Sequence, residues 1–174
     1  RINRPMRLAI PDIEAAVHAT LARAGYDHYE TSAHARPDRQ CRHNLNYWQF
    51  GDYLGIGAGA HGKLSFHDRI LRQMRTKHPL QYMDAVAQGA HIADARTLTR
   101  DDLPFEFMMN ALRLNEGVPA ALFEERTGLP LNVCTAVLER ARSRGLLEHD
   151  ATRLKPTLQG QRFLNDLLEL FLPG

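Results

Sequence analysis

Residues Cys41–Gly62 read CRHNLNYWQFGDYLGIGAGAHG, and most of what this chain can be turns on them. The first eight bring a thiol, an imidazole, two amides, a phenol and an indole together, a mixture that core packing alone does not require. The last ten, Tyr53–Gly62, are expected to form a short apolar strand running into a glycine-rich bend. Residues 33–52 contain Pro37, Asp38 and Gly51 and show no sustained period, which predicts a long loop.

Upstream, the spacing predicts a helix over Pro11–Ala24. Proline suits the first helical turn, Asp12 and Glu14 favour its positive end, and Ile13, Val17, Leu21 and Ala24 share a face before Gly25. YDHYETS then reads as a strand, completing one α/β unit. Downstream of the bend, helices are predicted over 67–76 and 79–88, the second opened by Pro79 and closed by Gly89. AHIADARTL reads as a linker, with a domain boundary near Thr97, giving units 1–97 and 98–174.

The second unit is mostly helical. Thr99 and Asp102 have capping-box spacing ahead of a helix with Phe105, Met109 and Leu112 on one face. GVPAALFEERTG gives a second helix, and LPLNVCTAVLERARSRG a third with Val133, Val137, Leu138 and Ala141 inward. LLEHDATRLKPT reads as two short strands about an Asp-Ala-Thr turn. A last helix, Leu158–Phe171, is expected to bury Phe163, Leu167, Leu168 and Phe171. Three helices, a hairpin and a helix amount to a winged-helix-like module.

Composition narrows the function. The 174 residues are 44% hydrophobic, enough for a core, and no apolar run approaches the ~20 residues of a membrane helix. The basic start lacks the apolar region of a signal peptide, so a cytoplasmic location is expected. The two cysteines, Cys41 and Cys134, are read as free thiols. Residues 1–99 hold 13 Lys and Arg against 9 Asp and Glu, whereas residues 100–174 hold 9 against 11. The winged-helix-like unit is therefore acidic. Its Arg140, Arg142 and Arg144 share no face, and nucleic acid is not expected as a partner.

Gly55, Gly57 and Ala60 fit G-x-G-x-x-A, but HGKLSFHD is a poor helix start for a dinucleotide site. The glycines let backbone approach something closely, a ligand or a neighbouring strand, and His61 closes the bend. None of the nine histidines has H-x-x-x-H or H-E-x-x-H spacing; His18 and His28 are read as surface or packing residues, and no metal site is expected. In CRHNLNYW, His43 can carry a proton or ligate haem iron, with Cys41 as a thiolate alternative. Tyr47 and Trp48 can stack on a flat ring, and Asn44 and Asn46 can bond propionates or pin the loop. The competing reading is that Trp48 fills a core and the asparagines tie turns.

Taken in order, YETSAHARP, CRHNLNYW and GDYLGIGAGAHG resemble consecutive signatures of the HemN/HemW group of radical S-adenosylmethionine proteins. H-N-x-x-Y-W, here His43, Asn44, Tyr47 and Trp48, is closest to the haem-chaperone branch. The acidic C-terminal part resembles the group's C-terminal domain. The group's C-x-x-x-C-x-x-C motif is absent, and Cys41 and Cys134 cannot replace it. The resemblance therefore implies a fragment: the last α/β portion of a partial (β/α) barrel followed by the winged-helix-like domain, α/β plus mostly α. A [4Fe–4S] cluster and S-adenosylmethionine are implied only for a full-length parent, and the chain alone is expected to be without radical chemistry.

The resemblance further implies haem, or another tetrapyrrole, at His43, Asn44, Tyr47 and Trp48, with an apo-haemoprotein as the client. It implies that Tyr29 and Glu30 end a barrel strand at the mouth, and that Gly57, Ala58, Gly59 and His61 lie near cofactor or substrate. No residue is assigned a catalytic role. Self-association through the cut barrel edge is expected. The alternative parent is an oxygen-independent coproporphyrinogen III oxidase, where the cofactor supplies the difficult chemistry.

Overall fold

The computed structural model describes residues 4–172. Helix α1 (Arg4–Arg23) runs through Pro11 and begins about two turns before the predicted start. Its first turn holds no acid, so Asp12 and Glu14 lie mid-helix. Ile13 and Val17 face solvent, because no element among the described residues covers that stripe. Gly25, at φ +79°, ends the helix in the left-handed region that glycine enters freely.

Strands β1 (Asp27–Glu30) and β2 (Ala33–Ala35) form an antiparallel hairpin with His28 opposite His34. The other edge of β1 is taken by residues 113–115. Thr31 N–H donates to the Arg113 carbonyl at 3.1 Å, Asn115 N–H donates to the Tyr29 carbonyl at 3.1 Å, and Glu30 bridges Leu114. This seam joins the two halves of the chain.

Within the predicted loop lies helix α2 (Arg42–Trp48). Seven residues are too few to display a period, which is why the sequence reads as irregular. Its end is a Schellman closure: Gly51 N–H donates to the Asn46 carbonyl at 2.7 Å and Phe50 N–H to the Tyr47 carbonyl at 2.9 Å. Phe50 takes the left-handed position, φ +56°, that glycine usually fills. Its ring is 1% exposed and meets Phe107 edge-on, so burial offsets the backbone strain.

A three-stranded antiparallel sheet follows, in the order β3 (His61–Ser65), β4 (Ile70–Arg75), β5 (Ile92–Thr97). Strand β4 replaces the helix predicted over 67–76, and β5 replaces the predicted linker. Pairing along both edges of β4 outweighs the weak local helical preference of DRILRQMR. The apolar strand expected after Gly51 does not form. Tyr53 makes a single bridge to Lys63, while Leu54 and Ile56 are exposed. Helix α3 (Pro79–Ala87) opens on Pro79 as predicted.

Lys63 fixes the turn after α2 to this sheet. Although only 2% exposed, its Nζ donates to the Phe50 carbonyl (2.9 Å), Asp52 Oδ1 (2.8 Å) and Ser65 Oγ (2.9 Å). It also lies 4.2 Å over the Phe50 ring, which adds a cation–π attraction.

In the second half, the predicted capping box is present: Thr99 N and Oγ1 donate to Asp102 Oδ2, and Asp102 N–H returns to Thr99 Oγ1 at 3.2 Å. Helix α4 (Asp102–Ala111) buries Leu103, Phe107, Met108 and Ala111 and leaves Phe105 and Met109 half-buried, a rotation from the predicted face. Leu112 is buried as predicted. Strand β6 (Val118–Pro119) leads into α5 (Ala121–Thr127), then a 3₁₀ turn over Leu131–Cys134 and α6 (Thr135–Ser143). Leu138 and Ala141 face the core, but Val133 is exposed on the 3₁₀ turn.

Strand β7 (Arg153–Leu154) pairs with β6, while Leu147 bridges Pro156 across the Asp-Ala-Thr turn. The predicted last helix is two, α7 (Leu158–Arg162) and α8 (Leu164–Glu169), broken at Phe163. That break leaves Phe163 exposed and turns Leu167 and Phe171 into the core. Arg140 and Arg142 donate to the carbonyls of Leu170, Glu148 and Asp150, so both serve the module's own structure.

Lys63→Ala leaves the Phe50 carbonyl without this donor and Asp52 without its cation, and is expected to cost roughly 2–3 kcal/mol, read as a lowered urea midpoint at constant m-value. Acid sensitivity has a second source. The backbone and hydroxyl of Thr99 hold the Asp102 carboxyl below its ordinary 3.8. For Asp52, burial works in the opposite direction, but Lys63 and Ser65 together win and hold it low as well. A depressed carboxyl contributes stability that is fully present above 3.8 and is lost as pH falls through the folded value. Asp102→Asn is expected to flatten this acid limb, measured by denaturation at pH 5 and below.

Candidate functional site

Helix α2 converts H-N-x-x-Y-W into two one-turn pairs, His43 with Tyr47 and Asn44 with Trp48. His43 is exposed, and its ring meets Tyr47 edge-on at 4.7 Å and 84°. Asn44, Tyr47 and Trp48 are half-buried. Leu45 and Trp48 pack against the core, so the helix is seated on one side and open on the His43 side. Cys41, just before the helix, is exposed.

Two carboxylates, Glu106 and Glu30, each held by arginine, brace the seated side. Tyr47 lies 4.0 Å from the Tyr53 ring, and the Tyr53 hydroxyl accepts from Arg72 Nη1 at 2.7 Å. Arg72 Nη2 donates to Glu106 at 2.7 Å, and Arg96 donates to the other Glu106 oxygen at 2.6 Å. Burial pushes the Tyr53 hydroxyl up against the opposing pull of Arg72, so it remains a neutral phenol. On the other flank, the Arg113 guanidinium stacks 4.4 Å over Trp48 and donates to Glu30 at 3.3 Å. The second Glu30 oxygen accepts from Ser32 N–H (3.0 Å) and Ser32 Oγ (2.7 Å).

Of the residues singled out from sequence, His43, Asn44, Tyr47 and Trp48 come together on α2, and Glu30 reaches them through Arg113. Tyr29 and Glu30 are both buried. The glycine bend is held elsewhere, at the end of the β3–β5 sheet. Gly57 N–H donates to the Tyr82 hydroxyl at 3.2 Å, and Gly59 N–H donates to the Thr76 carbonyl at 2.9 Å. Gly57 and Gly59 have φ of +102° and +70°, while a side chain at Gly55 would collide with the His61 carbonyl. The close approach is thus to a neighbouring strand. Ala58 and His61 are exposed, with His61 opening β3 opposite Met74.

Arg72, Glu106 and Arg113 carry no motif and escaped the sequence reading; nothing in local spacing marks them. His18 and His28, expected at the surface or in packing, do pack, and with His34, which no spacing marked, they converge on one point.

The helix-borne H-N-x-x-Y-W, the glycine bend and the acidic helical unit carry the likeness to the HemN/HemW group, and similarity to known proteins supports it along nearly the whole chain. Residues 98–163 match the family model for the HemN C-terminal domain. Over 165 residues the chain is 48% identical to the haem chaperone HemW of Escherichia coli K12, covering 94% of this chain and 43% of that protein. It is 44% identical over 174 residues to HemW of Haemophilus influenzae, covering 97% and 44% respectively. HemW of Mycobacterium tuberculosis H37Rv is 35% identical over 177 residues, covering 96% and 42%.

The chain thus spans less than half the length of these relatives. Its fold matches the Escherichia coli radical SAM enzyme coproporphyrinogen III oxidase, HemN, with a TM-score of 0.64. That match covers 92% of this chain and 40% of that one at 21% identity. Among the described residues no helix is long and apolar enough to cross a membrane.

The single Trp of the chain reports on the clamp. Arg113→Ala uncovers Trp48 and leaves Glu30 without its cation. It is expected to move the emission maximum to longer wavelength and to cost about 2–3 kcal/mol. Arg113→Lys restores the charge without the planar stack, so it is expected to recover part of the stability and little of the emission.

Proposed function

We propose that this chain is the haem-presenting part of a haem chaperone, carrying haem on α2 for transfer to an apo-haemoprotein. The observation that carries the reading is the exposed imidazole of His43 on a helix whose other side is locked by Arg72 and Arg113. An axial ligand in that position can bind iron without enclosing the macrocycle, which suits a carrier that must release its cargo. Tyr47 flanks the imidazole and restricts its rotation. Asn44 is within the same turn, available to a propionate, and Trp48 anchors the helix beneath Arg113. The names of the relatives support the reading, as each is a haem chaperone.

Any [4Fe–4S] cluster and S-adenosylmethionine belong outside this chain, which has two cysteines, too few for a cluster's thiolates. Residues 1–97 are proposed to be the last α/β portion of a partial (β/α) barrel and residues 98–174 a winged-helix-like domain. The extent of the structural match and the helix order α4–α5–α6 followed by short pairs favour this. In a parent that is instead a coproporphyrinogen III oxidase, Tyr29 and Glu30 would lie near substrate. The capture of Glu30 by Ser32 and Arg113 favours the carrier.

Titrating the chain with haem is expected to give a saturable one-to-one Soret shift that His43→Ala removes and Cys41→Ser leaves intact. Loss in Cys41→Ser alone would assign the iron to the thiolate. A shift indifferent to both substitutions, or none, would overturn haem ligation on α2.

A further inference from the structure

We propose that His18, His28 and His34 form a binding site for a divalent transition metal ion of the zinc class, separate from α2. The hairpin register sets His28 directly opposite His34, so both side chains leave the same face. Their rings stack at 4.5 Å and 18°. Helix α1 brings His18 against both, at 4.2 Å and 5.0 Å between ring centroids. One ring nitrogen from each histidine lies within 4.8 Å of those of the other two. Three separate elements each contribute one imidazole to one point.

The hydrogen bonding of these rings is incomplete. The Nε2 atoms of His28 and His34 are both buried without a partner. An unmet imidazole nitrogen in a buried setting is costly, and a metal ion satisfies both at once. Neutral imidazole is the ligating form. A zinc–nitrogen bond of about 2.0–2.1 Å places the nitrogens of a tetrahedral site about 3.4 Å apart. The nitrogens therefore close by up to about 1.4 Å, within the reach of side-chain torsions.

The all-imidazole donor set suits zinc, nickel and copper and is unsuited to magnesium or calcium. His18 and His28 also line a cleft of about 920 Å³ with Glu14, Arg113 and Asn115, so the cluster borders on space for water or a small anion. The bound ion would fasten α1 to the hairpin.

The test is a Zn²⁺ titration of the tag-free chain against a chromophoric chelator, repeated with Co²⁺ to read its visible ligand-field bands. The expected result is one ion per chain. Affinity should fall by more than the 10–100-fold typical of an outer-shell change in each of His18→Ala, His28→Gln and His34→Gln. His43→Ala and Cys41→Ser should leave it unchanged. Helix content and Trp48 emission confirm folding, and His18→Ala, on the helix rather than in the hairpin, covers the case where a hairpin variant does not fold. No binding by the native chain, equal binding by all three histidine variants, or loss only in His43→Ala or Cys41→Ser would overturn the site.

Discussion

The buried carboxylate of Glu30 is the point on which the rest of the structure depends. At 1% exposure it requires a cation, and the one it has, Arg113, lies 83 residues away in the chain. Meeting that requirement draws residues 113–115 onto the free edge of β1, and so docks the second half of the molecule on the first. It also lays the Arg113 guanidinium across Trp48, which sets the position of α2. A buried ion pair adds little net stability compared with a well-packed apolar contact, but removing one partner is expensive. Here the pair specifies an arrangement: hairpin, helix and C-terminal unit meet only when Glu30 and Arg113 do.

Helix α2 shows how so short an element can be rigid. Seven residues form no stable helix alone. This one is closed by Phe50 in a left-handed conformation, whose carbonyl is tied to Lys63 and whose ring packs on Phe107. It is flanked by Tyr53 on Arg72 and by Trp48 under Arg113. Everything that fixes α2 lies behind it, and His43 is left free in front. The core thus determines where the imidazole stands, while its outer side is open to solvent.

What was legible in the sequence was local. The Thr99–Asp102 box, the start of α3 at Pro79 and the β1 strand are written in adjacent residues and appear as read. What was illegible depended on partners distant in sequence. Ile70–Arg75 became a strand because β3 and β5 pair with it on both edges. Phe105 and Met109 gave up the buried face to Phe107 and Met108, and the same rotation sets Glu106 within reach of Arg72 and Arg96. The six residues of H-N-x-x-Y-W were visible as a motif, but their two arginine supports, contributed by β4 and by the segment after α4, could be identified only from the fold. His28 and His34 are six residues apart, a separation that means little until the β1–β2 register places them opposite one another.

The closure of α2 shows that neither variable position of H-N-x-x-Y-W is free. Leu45 plugs the core. Asn46 fills the space where a side chain at Gly51 would stand, while its carboxamide donates to the Asp52 carbonyl at 2.8 Å. In the language of molecular evolution, position 51 is closed to any larger residue: shortening Asn46 would clear its carboxamide, but the Asn46 backbone carbonyl, 2.8 Å from where a Cβ at 51 would stand, would remain.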